Sequence, residues 1–315
     1  MRAAAGRLTV LIFAVLLWSA PPVGGEDEGP AVIVRLGDVG WDTEIASAPV
    51  MPGQSLDIQV RDPAARRWTL AAPSGLPRRQ SATRWTWRAP QSPGLVEAHL
   101  SAAGEDEAHA ELKLLVMVPA EKLEGGRLNG YRIGAYPAKP LNGNPLYLPP
   151  RGFVEVNDDN EDEKLSPNFR LAQFTSKQST TYPKYVVIEP KLIVRLERLA
   201  DRLESLDLPS RLYVMSGYRT PFYNRAIGNV RYSLHQWGVA ADVFVDEDKD
   251  GKMDDLNGDK RIDREDAATL LRIADALDRG PGVRTPFAGG LGLYGSTSAH
   301  GPFVHIDVRG RTARW

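Results

Sequence analysis

The chain has 315 residues, 42% hydrophobic and 25% charged, the balance of an ordinary soluble protein with room for two domains and a sizeable core. A formal net charge of -1 supplies no field that favours nucleic acid or an anionic membrane, so neither is an expected partner. With no cysteine, disulfides and cysteine-linked lipids are excluded, and any metal ligands must be histidine or carboxylate.

Arg2 and Arg7 precede an apolar run from Leu8 to Trp18, and small and proline residues follow to Gly25, the order of regions in a secretory signal peptide. The run is too short to span a bilayer. Residues 1–25 therefore read as a signal segment cleaved between Ala20 and Glu26, with an uncleaved N-terminal anchor as the other reading. Either exports the body to the periplasm or the cell exterior, and no membrane contact is expected beyond this segment.

Residues 31–118 carry short β-type runs at Val32–Leu36, Leu56–Val60, Trp68–Leu70, Trp85–Trp87, Val96–Leu100 and Leu112–Val118, separated by Pro- and Gly-bearing turns about every ten residues. This predicts a small all-β sandwich, immunoglobulin-like in a broad sense. His99 and His109 alternate with their neighbours there and read as surface or cross-strand residues. Residues 119–165 are rich in Pro and Gly and lack periodicity, but Tyr131, Tyr136, Tyr147 and Phe153 are apolar anchors. An irregular strap over a neighbouring surface is expected, rather than a free linker.

Beyond it, Leu192, Val194, Leu196, Leu199 and Leu203 place an apolar face on a helix that opens at Pro190. A strand at Arg211–Ser216, a second helix from Arg264 to about Leu277, and strands at Ala240–Val245 and Phe303–Val308 complete an α+β domain over residues 166–315, an antiparallel sheet with helices.

The chemistry concentrates in that domain. Asp242 is the one charge in Val239–Val245, and a buried carboxylate is costly unless paired or metal-bound. Taken alone it reads equally as half of a buried ion pair or His–Asp pair. His305 poses the same problem in Phe303–Val308. His235 lies seven residues before Asp242, and one zinc ion held by His235, Asp242 and His305 explains both strands more simply than two unrelated accidents. Two imidazoles and a carboxylate leave a fourth position open for water.

The strings Ser216-Gly-Tyr-Arg219, Ser233-x-His-x-x-Gly-x-Ala-x-Asp242 and Phe303-Val-His-x-Asp-x-Arg-Gly together resemble those of the LAS-type zinc D-alanyl-D-alanine carboxypeptidases and murein endopeptidases, the YcbK-like branch in particular, over about residues 165–315. The resemblance implies a zinc peptidase of peptidoglycan stem peptides. It makes His235, Asp242 and His305 the zinc ligands and Arg219 a clamp for substrate carboxylate, with Ser216 and Tyr218 beside it at the substrate. A planar guanidinium suits that task. Many such relatives place a glutamate base three residues before the last histidine ligand, where this chain has Pro302. His300 and Asp307 are then the candidate catalytic groups. His300 reads equally as an exposed loop residue, and strand alternation puts Asp307 on the face of His305, where it would orient a ligand. Gly289–Tyr294 reads as a flexible rim carrying an aromatic, or as a turn entering a strand. A catalytically silent wall-binding or scaffold protein is the rival function.

A second constellation follows Asp242. Asp246, Asp248 and Asp250 before Gly251 match half of a calcium loop, and Asp255, Asn257, Asp259, Asp263 and Asp266 match the ligand spacing of another. Lys260 replaces a loop glycine, and neither loop ends in Glu. Calcium is the expectation, and a solvated acidic insertion balanced by Lys249, Lys252, Lys260, Arg261 and Arg264 the alternative.

Overall fold

A computed structural model describes residues 32–103, 108–279 and 288–315. The expected signal segment 1–25 lies outside them, and among the described residues no helix is long and apolar enough to cross a membrane.

The first unit contains β1 (Ile33–Leu36), β2 (Val39–Trp41), β3 (Ile45–Val50), β4 (Ser55–Arg61), β5 (Trp68–Ala71), β6 (Leu76–Arg79), β7 (Arg84–Arg88), β8 (Gly94–Ala102) and β9 (His109–Val116). These strands make two sheets, ordered β2-β1-β4-β7-β6 and β3-β9-β8-β5. The pairing of β3 with β9 is parallel. In β8 the period of two is plain: Val96, Ala98, Leu100 and Ala102 face inward while their neighbours are exposed. Trp41, Trp68 and Trp87 fill the core. His99 and His109 are exposed on β8 and β9.

Three strands lie outside the predicted set, and each has a reason. β2 spans only Val39–Trp41. β3 is buried along nearly all its length, so it shows no alternation. β6 is exposed throughout and holds Pro77, as an edge strand tolerates.

The segment expected to be a strap is built into the second unit. It holds β10 (Val118–Pro119), β11 (Arg127–Leu128), β12 (Tyr131–Arg132) and β13 (Gly152–Val156), and β13 pairs with both β10 and β14 (Lys184–Val186). Tyr131, Ile133 and Phe153 are buried. Trp237 Nε1 donates to the carbonyl of Leu148 at 2.9 Å and the Tyr136 hydroxyl to that of Gln236 at 2.9 Å, so the strap is fastened to the turn that carries His235.

The remaining elements are α1 (Pro190–Glu204), β15 (Leu212–Ser216), α2 (Pro221–Ala226), β16 (Ala240–Val245), α3 (Arg264–Arg279), β17 (Gly290–Tyr294), β18 (Phe303–Asp307) and β19 (Ala313–Arg314). The sheet order is β15-β16-β18-β17-β19, antiparallel except for the parallel edge pair of β17 with β19. All six residues of β16 and all five of β18 are buried, as central strands require, and their register sets Asp242 opposite His305. α3 packs on β17 and β18.

α1 starts where the side chain of Glu189 accepts from the Lys191 amide and proline stands in the first turn. Its buried face includes two charges, each answered. Glu197 accepts from the backbone amide and side chain of Asn168 at 2.8 and 2.7 Å, and Arg195 donates to the Asp307 carbonyl and to Asp278. Glu197→Ala removes the buried carboxylate that accepts from both Asn168 donors. It should lower the unfolding free energy by about 1–3 kcal/mol in a denaturant titration while zinc binding persists.

Candidate metal centre

The residues His235 to Trp237 lie in a 3-10 turn that ends at Gly238, in the left-handed conformation with φ +68°. A Cβ at Gly238 would lie 2.8 Å from the Val187 carbonyl carbon, so a glycine is required for the chain to turn there into β16. The turn delivers His235, and β16 and β18 deliver Asp242 and His305. The three are buried and their ligand atoms converge: His235 Nε2 is 3.2 Å from His305 Nδ1 and 3.3 Å from Asp242 Oδ1, and His305 Nδ1 is 2.8 Å from Asp242 Oδ1.

The outer atoms decide what that triangle is for. His235 Nδ1 is 2.7 Å from the Gly217 carbonyl, which can only accept, so the proton sits on Nδ1 and Nε2 presents a lone pair. His305 Nε2 lies 3.4 Å from Asp307 Oδ2, which fixes its N–H outward and leaves Nδ1 to face Asp242. Three acceptors are thus turned toward one another out of water, an arrangement that calls for positive charge among them. Tetrahedral zinc with bonds of about 2.0–2.1 Å sets its ligand atoms about 3.3 Å apart, close to the distances found. The residues present fit zinc.

Burial pushes the pKa of His235 down, which favours the neutral imidazole a metal needs. For His305 burial acts in the same direction, but hydrogen bonds to the Asp242 and Asp307 carboxylates outweigh it and raise the value. Burial opposes ionisation of Asp242 as well, and its contacts with His235 and His305 hold it well below the usual carboxylate range.

Asp307 sits behind His305, fully buried, and accepts from the Gly290 amide at 2.9 Å and from the Arg309 guanidinium at 2.5–2.9 Å. Its carboxylate faces the ring nitrogen remote from the triangle, which makes it a positioning group. Gly289 and Gly290 serve this packing rather than flexibility, since a Cβ at Gly290 would collide with the Asp307 carboxylate and one at Gly289 with its carbonyl. Gly289–Tyr294 runs into β17 as a strand.

Arg219 donates from Nη2 to Asp242 Oδ2 at 2.5 Å and from Nε to Ser216 Oγ at 2.8 Å, and it lines the same cavity as the three ligands. Ser216 therefore acts through Arg219. Tyr218, expected at the substrate, lies instead in the core. Its hydroxyl is 3.0 Å from that of Tyr136, burial raises its pKa far above normal, and it does not line the cleft. His300 is half-buried beside the cleft wall, with its ring 5.0 Å from that of Phe303 and Nδ1 on the Gly301 carbonyl.

The cleft encloses about 420 Å³. Sequence reasoning missed Tyr147, Tyr232, Arg309 and Trp315 in its lining, residues brought together only by tertiary structure. Arg309 alone carried a signal, as part of the quoted terminal string.

Of the expected calcium ligands, Asp246, Asp248 and Asp250 bring carboxylate oxygens within 4.8 Å of one another, yet Asp246 is already paired with Arg211 and Asp250 with Lys252. The second set does not converge, which corrects that expectation. Asp255 accepts from the amides of Gly258, Asp259 and Lys260, Asn257 from that of Asp259, and Asp259 from that of Arg261. Asp263 caps Glu265, and the buried Asp266 takes the amides of Leu256, Asn257 and Asp263. These oxygens close turns of their own backbone, and calcium gains no support from them.

His235→Ala should abolish zinc retention by metal analysis. Asp307→Asn, which keeps shape but weakens the hold on the His305 N–H, should lower zinc affinity about 10–100-fold in a competition titration with a chromogenic chelator.

Residues 167–264 match the Peptidase M15 family, a segment that contains Arg219, His235 and Asp242. No curated protein matches the chain. Among solved structures, the titin M4 domain in a trigonal form is 12% identical over 27% of this chain and 95% of its own, and the titin M3 domain 10% identical over 27% and 98%; the TM-score is 0.19 for each. His305 lies beyond the matched segment and is joined to it by the geometry of β16 and β18. Over that segment the second unit is similar to the Peptidase M15 family, and its two-imidazole, one-carboxylate group could hold a metal ion.

Proposed function

We propose that this chain is an exported zinc metallopeptidase of the YcbK-like branch that hydrolyses peptidoglycan peptide bonds beside D-amino acids, as a D,D-carboxypeptidase or murein endopeptidase. The observation that carries the reading is the triangle of acceptor atoms from His235, Asp242 and His305 at the floor of an open cleft, inside a unit that matches the M15 family. In this reading the first unit is an immunoglobulin-like sandwich that borders the peptidase unit, and the substrate is a stem peptide in the periplasm or outside the cell.

Zinc bound there would lower the pKa of a coordinated water toward neutrality and polarise the scissile carbonyl. The protein supplies the rest. Asp307 and the Gly217 carbonyl hold the two imidazoles in their tautomers, and Arg219 holds Asp242 while its remaining donors face the cleft for a substrate carboxylate. Among the described residues that line the cleft, Asp242 is the one carboxylate. Asp307 is engaged by Arg309 and sealed behind His305. We place proton transfer at His300, whose ring packs 5.0 Å from that of the cleft residue Phe303.

That Asp242 is the one carboxylate described in the cleft lining also favours the second reading, a wall-binding scaffold that keeps the fold and the metal site. Incubation of purified sacculi with the zinc-loaded chain separates the two. Released muropeptides are the expected result, and an unaltered digest profile with zinc bound would overturn the peptidase reading.

Arg219→Lys should preserve fold and zinc yet lose at least tenfold in kcat/KM on stem peptides, because a point charge does not reproduce the planar fork. His300→Ala should lower kcat on stem peptides while zinc binding persists. An unchanged kcat would remove His300 from the proton path.

A further inference from the structure

The walls of the cleft on either side of the metal group are aromatic, and two of their rings are held in an unusual way. Trp315 is 49% exposed although the structure fixes it tightly. Its backbone amide and carbonyl bond to Leu291 and Leu293 of β17, and its indole N–H donates to the Tyr294 hydroxyl at 2.9 Å. The ring is seated against Gly292, where a Cβ would come within 2.6 Å of it. The Arg309 guanidinium lies 4.9 Å from its centre and the His305 ring 5.3 Å. Tyr294 is 37% exposed and stacks at 4.6 Å, nearly parallel, on Phe303. The two rings are thus held by the backbone of β17 and by each other, are partly exposed, and line the cavity. Tyr147 and Tyr232, edge to face at 5.7 Å, line the same cavity.

Beside Val230 and Leu234, the polar Asn229, Ser233 and Arg309 also line the cavity. An aliphatic side chain would be served by a closed apolar pocket and would leave these groups without partners. A pyranose ring presents C–H groups on its faces and hydroxyls around its equator, the inverse of flat aromatic walls with a polar rim. The cavity of about 420 Å³ is large enough for one sugar beside a peptide segment.

We infer that the cleft receives a sugar ring of the glycan strand, stacked on Trp315 and Tyr294, so that the preferred substrate is a stem peptide still attached to its saccharide. The inference rests on the peptidoglycan reading above and names its substrate class. Because a saccharide without a peptide has no bond for the metal group to act on, binding can be read independently of hydrolysis.

The test is isothermal titration of the full chain with a β-1,4-linked tetramer of N-acetylglucosamine. Saturable binding is expected, weakened roughly tenfold in Trp315→Ala and in Tyr294→Leu and largely restored in Trp315→Phe, which keeps a flat ring. In kinetics, Trp315→Ala should raise KM more for a disaccharide-linked peptide than for the same peptide without sugar. Absence of tetramer binding by the parent chain, or equal binding by the Ala and Phe variants, overturns the inference while the peptidase reading stands. Tetramer binding together with uncut sacculi overturns the peptidase reading and leaves the sugar site in place.

Discussion

Three acceptor atoms held out of water at 2.8–3.3 Å from one another are the constraint around which the second unit is organised. Each of His235, Asp242 and His305 is held from behind by a partner outside the triangle. The Gly217 carbonyl pins the first, Arg219 the second and Asp307 the third. Each of these is pinned in turn: Arg219 by Ser216, Asp307 by Arg309 and the Gly290 amide, and the Asp307 carbonyl by Arg195 of α1. The chain Arg195–Asp278–Arg314 carries the same support to the edge strand β19. A buried polar network of this kind is stable only when every member is satisfied.

Much of this was legible in the sequence because it broke a local rule. Asp242 and His305 each stood in an otherwise apolar strand, and a polar residue in that setting demands a partner. α1 was legible from its apolar spacing and its leading proline, and β16 and β18 from their continuous burial. The order of the sheet, which sets Asp242 against His305, was not written in any local stretch.

Where the reading failed, the cause was also physical. Tyr218 shares a short motif with Arg219, but the chain leaves β15 after an irregular register between Val214 and Ser216, and neighbours in sequence then point to the core and to the cleft. The acidic stretch from Asp255 to Asp266 has the spacing of a cation loop, yet the same short side chains at the same intervals also close turns on their own amides. Spacing does not separate the two. Tyr147 was legible only as an anchor of the strap, and Trp315 and Tyr232 gave no signal, since lone aromatics far apart in the chain acquire meaning only when the fold brings them to one cavity.

His235 and Asp242 are close in sequence, and His305 joins them 63 residues beyond Asp242, after the acidic loop, α3 and β17. A cation coordinated by all three therefore ties the ends of a long loop together, the task a disulfide performs in many exported proteins and one that this cysteine-free chain has no sulfur to perform. The reagent that loosens this tether is a chelator and not a reductant, and the strength of the tether follows the supply of metal in the compartment rather than its redox poise.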